Sequence, residues 1–181
     1  MNRKPLHINL DAGEGLVDER PLYPYVHALN IACGGHAGSV ESVKQTLEMG
    51  TALGLQLGAH PSYPDKMHFG RRSMRLNKEA LKGALTEQLD LFQSQIEELG
   101  LQWTHLKAHG ALYNDLAQDQ ALSENFLSAI APFMNDKTLY VQQHSALAQC
   151  AKNQGFHCTY EYFIDRRYLN GSQLLSRSDP R

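Results

Sequence analysis

The sequence predicts an α/β protein in which parallel strands are joined by crossover helices. Short apolar segments of strand length alternate along the chain with longer segments whose apolar residues recur every three or four positions. Such alternation is typical of a parallel sheet covered by helices. Reactive side chains follow the strands, whereas the helix-to-strand turns 100–102 and 154–155 are short and chemically plain. The carboxyl ends of parallel strands share one face, so a functional site is expected there.

The strands are predicted from apolar segments that glycine or polar residues bring to an end. The first alternates apolar and polar residues and stops before a glycine-containing turn, and the second stops at paired glycines. The six predicted strands are Leu6–Leu10, Leu29–Cys33, Leu55–Ala59, Trp103–Lys107, Thr138–Val141 and Phe156–Tyr160.

Helix starts are predicted from polar residues that can accept a backbone hydrogen bond. Ser39 is placed before a first helix, and Asn77 before a second, which carries apolar residues at helical spacing from Leu81 to Ile96 and ends near Gly100. Two more helices are predicted at about Gln120–Ile130 and Ser145–Gln154.

Composition limits the class of protein. The chain has 181 residues, which fits one domain spanning 1–181. Its net charge is −2 with no basic run, which argues against nucleic acid or a membrane surface as a partner. No signal peptide or bilayer-length apolar stretch is seen. Three cysteines without a CxxC spacing favour free thiols in a reducing compartment, so we expect a cytoplasmic protein.

Histidines and carboxylates recur just beyond the predicted strands. We assign a catalytic role to Asp11, His36, His60, Lys107 and His109, because histidines that share a face with carboxylates suit acid–base work. Asp11 is favoured over Glu14, although the two carboxylates could instead tie down their glycine-rich turn. A buried Lys107 would need a carboxylate or an anionic substrate as its partner.

A second set of residues is assigned to substrate binding. Arg71 and Arg72 suit a carboxylate or phosphate, and for one of them a salt bridge to Glu161 or Asp165 is an equal alternative. Cys33 lies nearby and is interpreted as a buried apolar thiol. The substrate-binding candidates are Glu14, Asp65, Arg71, Arg72, Tyr113, Asn114, Glu161 and Asp165.

Several long motifs, in order, resemble those of the LamB/YcsF family. They are Asn9–Glu14, Asn30–Gly38, Gly58–Asp65, Phe69–Arg72, Lys107–Asn114 and Glu161–Tyr168. The resemblance runs from about His7 to Arg177, and it implies an irregular (β/α) barrel of the glycoside hydrolase and deacetylase type. Family members continue further past this point, so we expect an incomplete barrel with a free edge at the first or sixth strand. Association with itself or with partner subunits is expected through that gap.

The family resemblance also implies a function. It indicates one component of an ATP-dependent 5-oxoprolinase, which opens the 5-oxoproline lactam to glutamate with ATP and Mg as co-substrate and with two other subunits. ATP would activate the lactam oxygen, Asp11 or a histidine would activate water, and Arg72 or Lys107 would hold negative oxygens. The sequence contains no Walker-type loop, so it does not show which of the subunits binds ATP.

Two other functions remain open from the residues. One is a metal-dependent amidohydrolase or deacetylase, with Asp11, His60 and His109 as ligands, because such residues suit a divalent ion with open positions. The other is a non-catalytic, truncated homologue that only binds partners. The family pattern is also broken in places, for example by Gly35, where a bulky residue is usual.

Overall fold

The computed structural model describes residues 6–170 and 173–175, so the end of the family resemblance at Arg177 lies outside them. Six strands form one parallel sheet whose spatial order follows the chain order. This order is that of a β/α barrel, because a doubly wound sheet reverses its order part-way. The strands are β1 (Asn9–Ala12), β2 (Ala28–Ala32), β3 (Gln56–His60), β4 (His105–Leu106), β5 (Thr138–Gln142) and β6 (His157–Glu161).

Helices cover the outer face of the sheet. They are α1 (Val40–Ala52), α2 (Lys78–Glu98), α3 (Gly110–Leu116), α4 (Gln120–Ile130) and α5 (Ala146–Asn153). Short 3-10 turns lie at Arg20–Tyr25 and Ala131–Phe133, and an antiparallel pair, β7 (Tyr168–Asn170) and β8 (Gln173–Leu174), follows the sheet.

The sheet is curled into a half-barrel. β1 and β6 stand at opposite ends of the strand order, and in a flat sheet they would lie roughly 24 Å apart at about 4.8 Å per strand. Instead, the Asn9 side-chain amide of β1 donates to Glu161 Oε2 of β6 at 3.1 Å. The predicted α/β fold of the barrel type is therefore confirmed.

The two outer strands keep unpaired edges within the described residues. There β1 pairs only with β2, and β6 only with β5. Exposed apolar side chains of Leu6, Tyr25 and Ile164 line the cleft between these strands. Self-association through this region stays a prediction, which a size measurement in dilute solution would test.

The helix starts follow the predicted capping chemistry. Ser39 accepts from the Ser42 backbone amide in a reciprocal capping box, and the Asn77 side chain accepts from the Ala80 amide. The inner face of α2, from Leu81 to Ile96, is buried as its spacing predicts. Within the described residues, no helix combines the length and the apolar character needed to cross a bilayer.

Candidate active site

The centre of the site is a buried carboxylate surrounded by three imidazole rings. Glu14 Oε1 lies 3.0 Å from His36 Nε2, 3.3 Å from His109 Nδ1 and 4.0 Å from His60 Nε2. The Glu14 side chain is only 5% exposed, and the side chain of His60 is fully buried. We call these four residues the histidine cluster.

The strand order explains why the cluster forms. Glu14 follows β1, His36 follows β2, His60 ends β3 and His109 follows β4. These strands are consecutive neighbours, so their carboxyl ends meet. The buried carboxylate of Glu19 accepts the backbone amides of Gly13 and Glu14, at 3.1 and 3.0 Å, and so shapes the turn that aims Glu14 inward.

Two rings of the cluster are oriented by backbone carbonyl groups. His60 Nδ1 lies 2.7 Å from the Lys107 oxygen, and His109 Nε2 lies 3.1 Å from the Phe69 oxygen. Since a carbonyl oxygen only accepts, these ring nitrogens must carry the proton. The other nitrogens, His60 Nε2 and His109 Nδ1, face each other at 3.0 Å.

A tight loop covers the histidine cluster. Phe69 and Gly70 both have positive φ, 55° and 61°. A Cβ on Gly70 would lie 2.9 Å from His36 Cβ and 3.1 Å from His109 Cδ2, so the loop approaches the rings as closely as glycine permits. The Gly70 oxygen accepts the Ala111 amide at 2.9 Å, which joins this loop to the start of α3.

A second polar group joins three strands beside the cluster. Lys107 Nζ, beyond β4, lies 3.0 Å from Asp11 Oδ1, 3.2 Å from Asn9 Oδ1 and 3.4 Å from Glu161 Oε2. The predicted pairing of this buried lysine with a carboxylate is confirmed. An ammonium group has three donors, and these three acceptors match them.

Asp11 connects the two groups. Its Oδ1 accepts from Lys107 and from Asn30 Nδ2 at 2.8 Å, while its Oδ2 lies 3.3 Å from His60 Nε2. Its side chain is 31% exposed and lines the cleft. Burial by itself would raise the pKa of Asp11, but His60 and Lys107 outweigh burial and hold the pKa well below its usual range. Asp11 is therefore an anion at neutral pH.

The histidine cluster combines an anionic carboxylate with two rings, those of His36 and His109, that are neutral at neutral pH. Burial would raise the pKa of Glu14, but the close contacts with His109 and His36 outweigh burial and lower it to about 2. Burial lowers the pKa of His36 to about 4 and also lowers that of His109. At neutral pH, His36 and His109 therefore present lone pairs as well as N–H groups.

The structure brings the predicted catalytic residues together at the carboxyl ends of the strands. Asp11, Lys107 and His109 line the cleft, whereas His36 and His60 lie behind them and are buried. Glu14, predicted to bind substrate, lines the cleft and also lies at the centre of the histidine cluster. The roles of all these residues remain predictions.

The other predicted residues divide into two groups. Arg71, Tyr113, Asn114, Glu161 and Asp165 line the cleft. Two further candidates do not reach it. Asp65 orders its own loop by accepting from the His68 backbone amide and contacting the His68 ring at 2.8 Å, and Arg72 is exposed away from the cleft.

The salt bridge considered for Arg71 or Arg72 is absent from the described residues. Glu161 pairs with Lys107, and the Arg71 guanidinium lies 4.8 Å from the centre of the Phe69 ring. Cys33 is fully buried, and burial raises the pKa of its thiol to about 12, which fits an inert apolar residue.

Sequence reasoning missed three polar supports of the site. Asn9 and Asn30 bond to each other at 2.7 Å and hold Asp11 and Lys107, and His105 Nε2 lies 3.0 Å from Asn30 Oδ1. Asn30 was recognisable, because it is the one polar residue in an otherwise apolar predicted strand. Gly58 leaves room for the His105 ring, since a Cβ there would lie 2.3 Å from it.

Acid should destabilise the fold through His105. Burial, followed by the charge of Lys107, lowers the pKa of His105 to about 3, whereas an unfolded histidine titrates near about 6.5. The unfolded state thus binds more protons between these values, and stability is lost as pH falls from about 6.5 toward 3. We expect the free energy of unfolding to fall by up to about 1.4 kcal/mol per pH unit in this range.

Urea unfolding at several pH values checks this expectation. His105→Gln should show a shallower loss of unfolding free energy with acid than the wild type, and exposed His157→Gln should keep the wild-type slope. Equal slopes in all three proteins would mean that His105 is not the titrating group.

The fold and the site define a class of protein, an α/β half-barrel with histidines and carboxylates gathered at the carboxyl ends of its strands. The LamB/YcsF family model matches residues 6–181. The chain therefore belongs to the LamB/YcsF family.

Individual relatives agree with this assignment. The chain is 34% identical to the A subunit of 5-oxoprolinase from Neisseria meningitidis serogroup C over 177 residues, which are 98% of this chain and 72% of that protein. It is 36% identical to the A subunit of 5-oxoprolinase from Tolumonas auensis over 178 residues, covering 96% and 71% of the two chains. The crystal structure of a lactam utilization protein from Thermus thermophilus superposes with a TM-score of 0.89 at 31% identity, covering 98% and 74%.

Proposed function

We propose that the chain acts as the A subunit of a 5-oxoprolinase, taking part in the hydrolysis of the 5-oxoproline lactam to L-glutamate. ATP, with Mg, is the co-substrate, and two other subunits complete the enzyme. The single observation that carries this proposal is the cleft-facing carboxylate of Asp11, which touches both the histidine cluster and Lys107. Relatives that bear the name of the 5-oxoprolinase A subunit support it.

The reaction requires activation of a stable amide. Phosphorylation of the lactam oxygen by ATP would make the ring carbon open to attack. Water must then add to that carbon and the C–N bond must break with protonation of the nitrogen, which leaves an acyl phosphate. A second water must hydrolyse this acyl phosphate to the side-chain carboxylate of glutamate and inorganic phosphate. We assign ATP binding to another component of the enzyme, because this sequence has no glycine-rich phosphate loop.

His109 is the best-placed group to accept the proton of the attacking water. It lines the cleft, and burial favours its neutral form. Asp11 is a weaker base because its pKa is held so low, so it orients water and stabilises positive charge on the neighbouring ring. His60 acts through Asp11 and His109 as a positioning residue.

The negative oxygens of the substrate need a cation that is not already paired. Lys107 has its three donors directed at protein acceptors, so we do not assign it to the transition state. Arg71 lies on the cleft wall and is exposed. We therefore assign the substrate carboxylate or phosphate to Arg71, since a guanidinium binds either through paired hydrogen bonds.

Three buried polar atoms at the inner end of the cleft match the lactam group. Among the described residues, Tyr113 Oη, Gln142 Nε2 and Glu161 Oε1 have no protein hydrogen bond of normal geometry, although their residues line the cleft and Glu161 lies close enough to the Tyr113 hydroxyl to help raise its pKa. Gln142 and Glu161 are register partners on β5 and β6. A lactam offers one N–H, suited to Glu161, and one carbonyl oxygen, suited to Tyr113 or Gln142. Unpaired buried groups of this kind give strong selectivity for a ligand that pairs them.

Tyr113→Phe should weaken substrate binding without weakening the fold. The hydroxyl makes no hydrogen bond of normal geometry to the described residues and lies close to the anionic Glu161, so its loss should raise KM about fivefold to tenfold, as expected for one hydrogen bond, with unchanged or slightly higher stability. Tyr63→Phe is the matched control, because its hydroxyl donates to Asp115 at 2.9 Å outside the cleft. That variant should lose stability and keep its KM, and the opposite pattern would refute the subsite.

Reconstitution tests the proposed function. The purified chain, the two other subunits, ATP, Mg and 5-oxoproline should together form glutamate, and omission of this chain should stop glutamate formation. An unchanged rate without the chain would overturn the proposal and favour a non-catalytic homologue. Lactam hydrolysis by the chain alone without ATP would instead show a stand-alone amidohydrolase.

A further inference from the structure

We propose that Glu14, His60 and His109 bind one divalent transition metal ion of the Zn²⁺ type, with an open position toward the cleft. This metal site goes beyond the proposed function, which does not require it. In a metal-loaded chain, His109 Nδ1 would be a ligand, and the ion would supply the activation of water that is otherwise assigned to His109. It also differs from the ligand set of Asp11, His60 and His109 that the sequence alone suggested.

The first step is the direction of the ring nitrogens. His60 and His109 each donate their outer N–H to a backbone carbonyl, at Lys107 and Phe69. Their inner nitrogens then point lone pairs at each other across 3.0 Å, which is repulsive unless a cation lies between them. Histidines that bind metals typically have this arrangement, with the second nitrogen donating to a carbonyl or carboxylate.

The second step is the spacing of the three ligand atoms. His60 Nε2 and His109 Nδ1 are 3.0 Å apart, and Glu14 Oε1 lies 3.3 Å and 4.0 Å from His109 and His60. Tetrahedral zinc with bonds of about 2.0–2.1 Å places its ligands about 3.3–3.4 Å apart. The three measured separations bracket this value. Two histidines and one glutamate also form a known catalytic zinc set that leaves a fourth position for water.

The third step excludes His36 as a ligand in this arrangement. Its ring is stacked on His109 with centroids 3.6 Å apart and planes only 2° apart. An ion midway between parallel rings would lie about 1.8 Å out of each ring plane, whereas an imidazole lone pair lies in the plane. His60, whose ring is at 90° to His109, has no such conflict.

The fourth step is charge. Asp11, Glu14 and Glu161 bring three carboxylates to the inner cleft and Lys107 brings one ammonium group, so the formal charges of these four side chains sum to −2. A divalent ion would neutralise this excess. Asp11 Oδ2 lies 3.3 Å from His60 Nε2, close enough to the site to orient a water molecule bound there.

Metal analysis of the whole chain tests the site. Protein stripped with EDTA and reloaded with Zn²⁺ or Co²⁺ should bind about one ion per chain, with the intense visible absorption of low-coordinate Co²⁺. Glu14→Gln and His109→Gln should lower affinity at least hundredfold. His36→Leu and exposed His157→Gln should retain the ion.

Each alternative result would overturn the site. Absence of binding by wild-type protein at micromolar Zn²⁺ would mean that a shared proton links His60 and His109. Binding retained by Glu14→Gln and His109→Gln would place the ion elsewhere, and loss in a folded His36→Leu would contradict the three-ligand arrangement. The Co²⁺ spectrum of the wild type decides the coordination even where a variant fails to fold. None of these readouts uses lactam hydrolysis, so this site and the proposed function can fail separately.

Discussion

His109→Ala should remove most 5-oxoprolinase turnover in the complete enzyme, by roughly a hundredfold or more, as expected for the loss of a general acid or base. His109 lines the cleft, contacts Glu14 at 3.3 Å and His60 at 3.0 Å, and donates to the loop at Phe69. Substrate and water in the cleft can therefore contact the His109 ring, whereas the rings of His36 and His60 lie behind it.

Circular dichroism and glutamate formation together check this expectation. The variant should keep the spectrum and the partner binding of the wild type while its kcat falls. Exposed His157→Ala is the control and should keep full activity. A folded His109→Ala enzyme with an unchanged rate would remove His109 from the mechanism.

Lys107→Met should cause a large loss of stability, about 3–5 kcal/mol, because it leaves the buried Glu161 carboxylate and the partly buried Asp11 carboxylate without their cation. The Lys107 side chain is 5% exposed and joins β1 to β6 through Asp11 and Glu161. Burial would lower the pKa of Lys107, yet Asp11 and Glu161 raise it above its usual range, so the ammonium stays charged. Methionine keeps the stem of the side chain and removes only the charge and its donors.

Urea unfolding with a surface control measures this effect. Lys44 pairs with Glu98 at 2.6 Å, but both side chains are substantially exposed, so Lys44→Met should leave the free energy of unfolding nearly unchanged. The deficit of Lys107→Met should be complete above the unfolded pKa of an aspartate, about 3.9, and shrink as acid protonates the native Asp11. Equal small losses in both variants would show that Lys107 is not a structural brace.

The succession of strands and helices, and the end of the sheet that carries the site, could be predicted from the sequence because capping residues and apolar periodicity act locally. Ser39 and Asn77 cap helices wherever their side chains meet free backbone amides, and the apolar period of α2 buries one face in any packing of this kind. The strand boundaries in the structure differ from the predicted ones by a few residues. Asp11 lies within β1 and not beyond it, although its position at the carboxyl end is unchanged.

The sequence does not predict the helix α3, because residues 108–114 have the pattern of a loop. The residue before α3 is His109, whose side chain makes no capping hydrogen bond, and the helix starts with a glycine at φ 57°. Both features are unfavourable local signals, so tertiary contacts decide the outcome. A Cβ on Gly110 would lie 2.6 Å from the Gly70 oxygen, which is where the covering loop meets the helix.

From the sequence, Asp11 is favoured over Glu14, whereas the structure places Glu14 at the centre of the histidine cluster and Asp11 beside it. Both carboxylates stand in one short motif, and the side chain of Glu19, several residues later, bends the turn that buries Glu14.

Gly35, which departs from the family pattern, is explained by a side chain distant in sequence. A Cβ on Gly35 would lie 2.2 Å from Gln88 Oε1, and Gln88 bonds to the backbone of Ser62 across this space.

A crystal structure of the chain with 5-oxoproline tests most directly the claim that the cleft is the lactam site. The lactam should lie in the cleft with its N–H at Glu161, its carbonyl oxygen at Tyr113 or Gln142, and its ring carbon facing Asp11 and His109. Density for 5-oxoproline outside the cleft, or bound only by another component of the enzyme, would contradict the account.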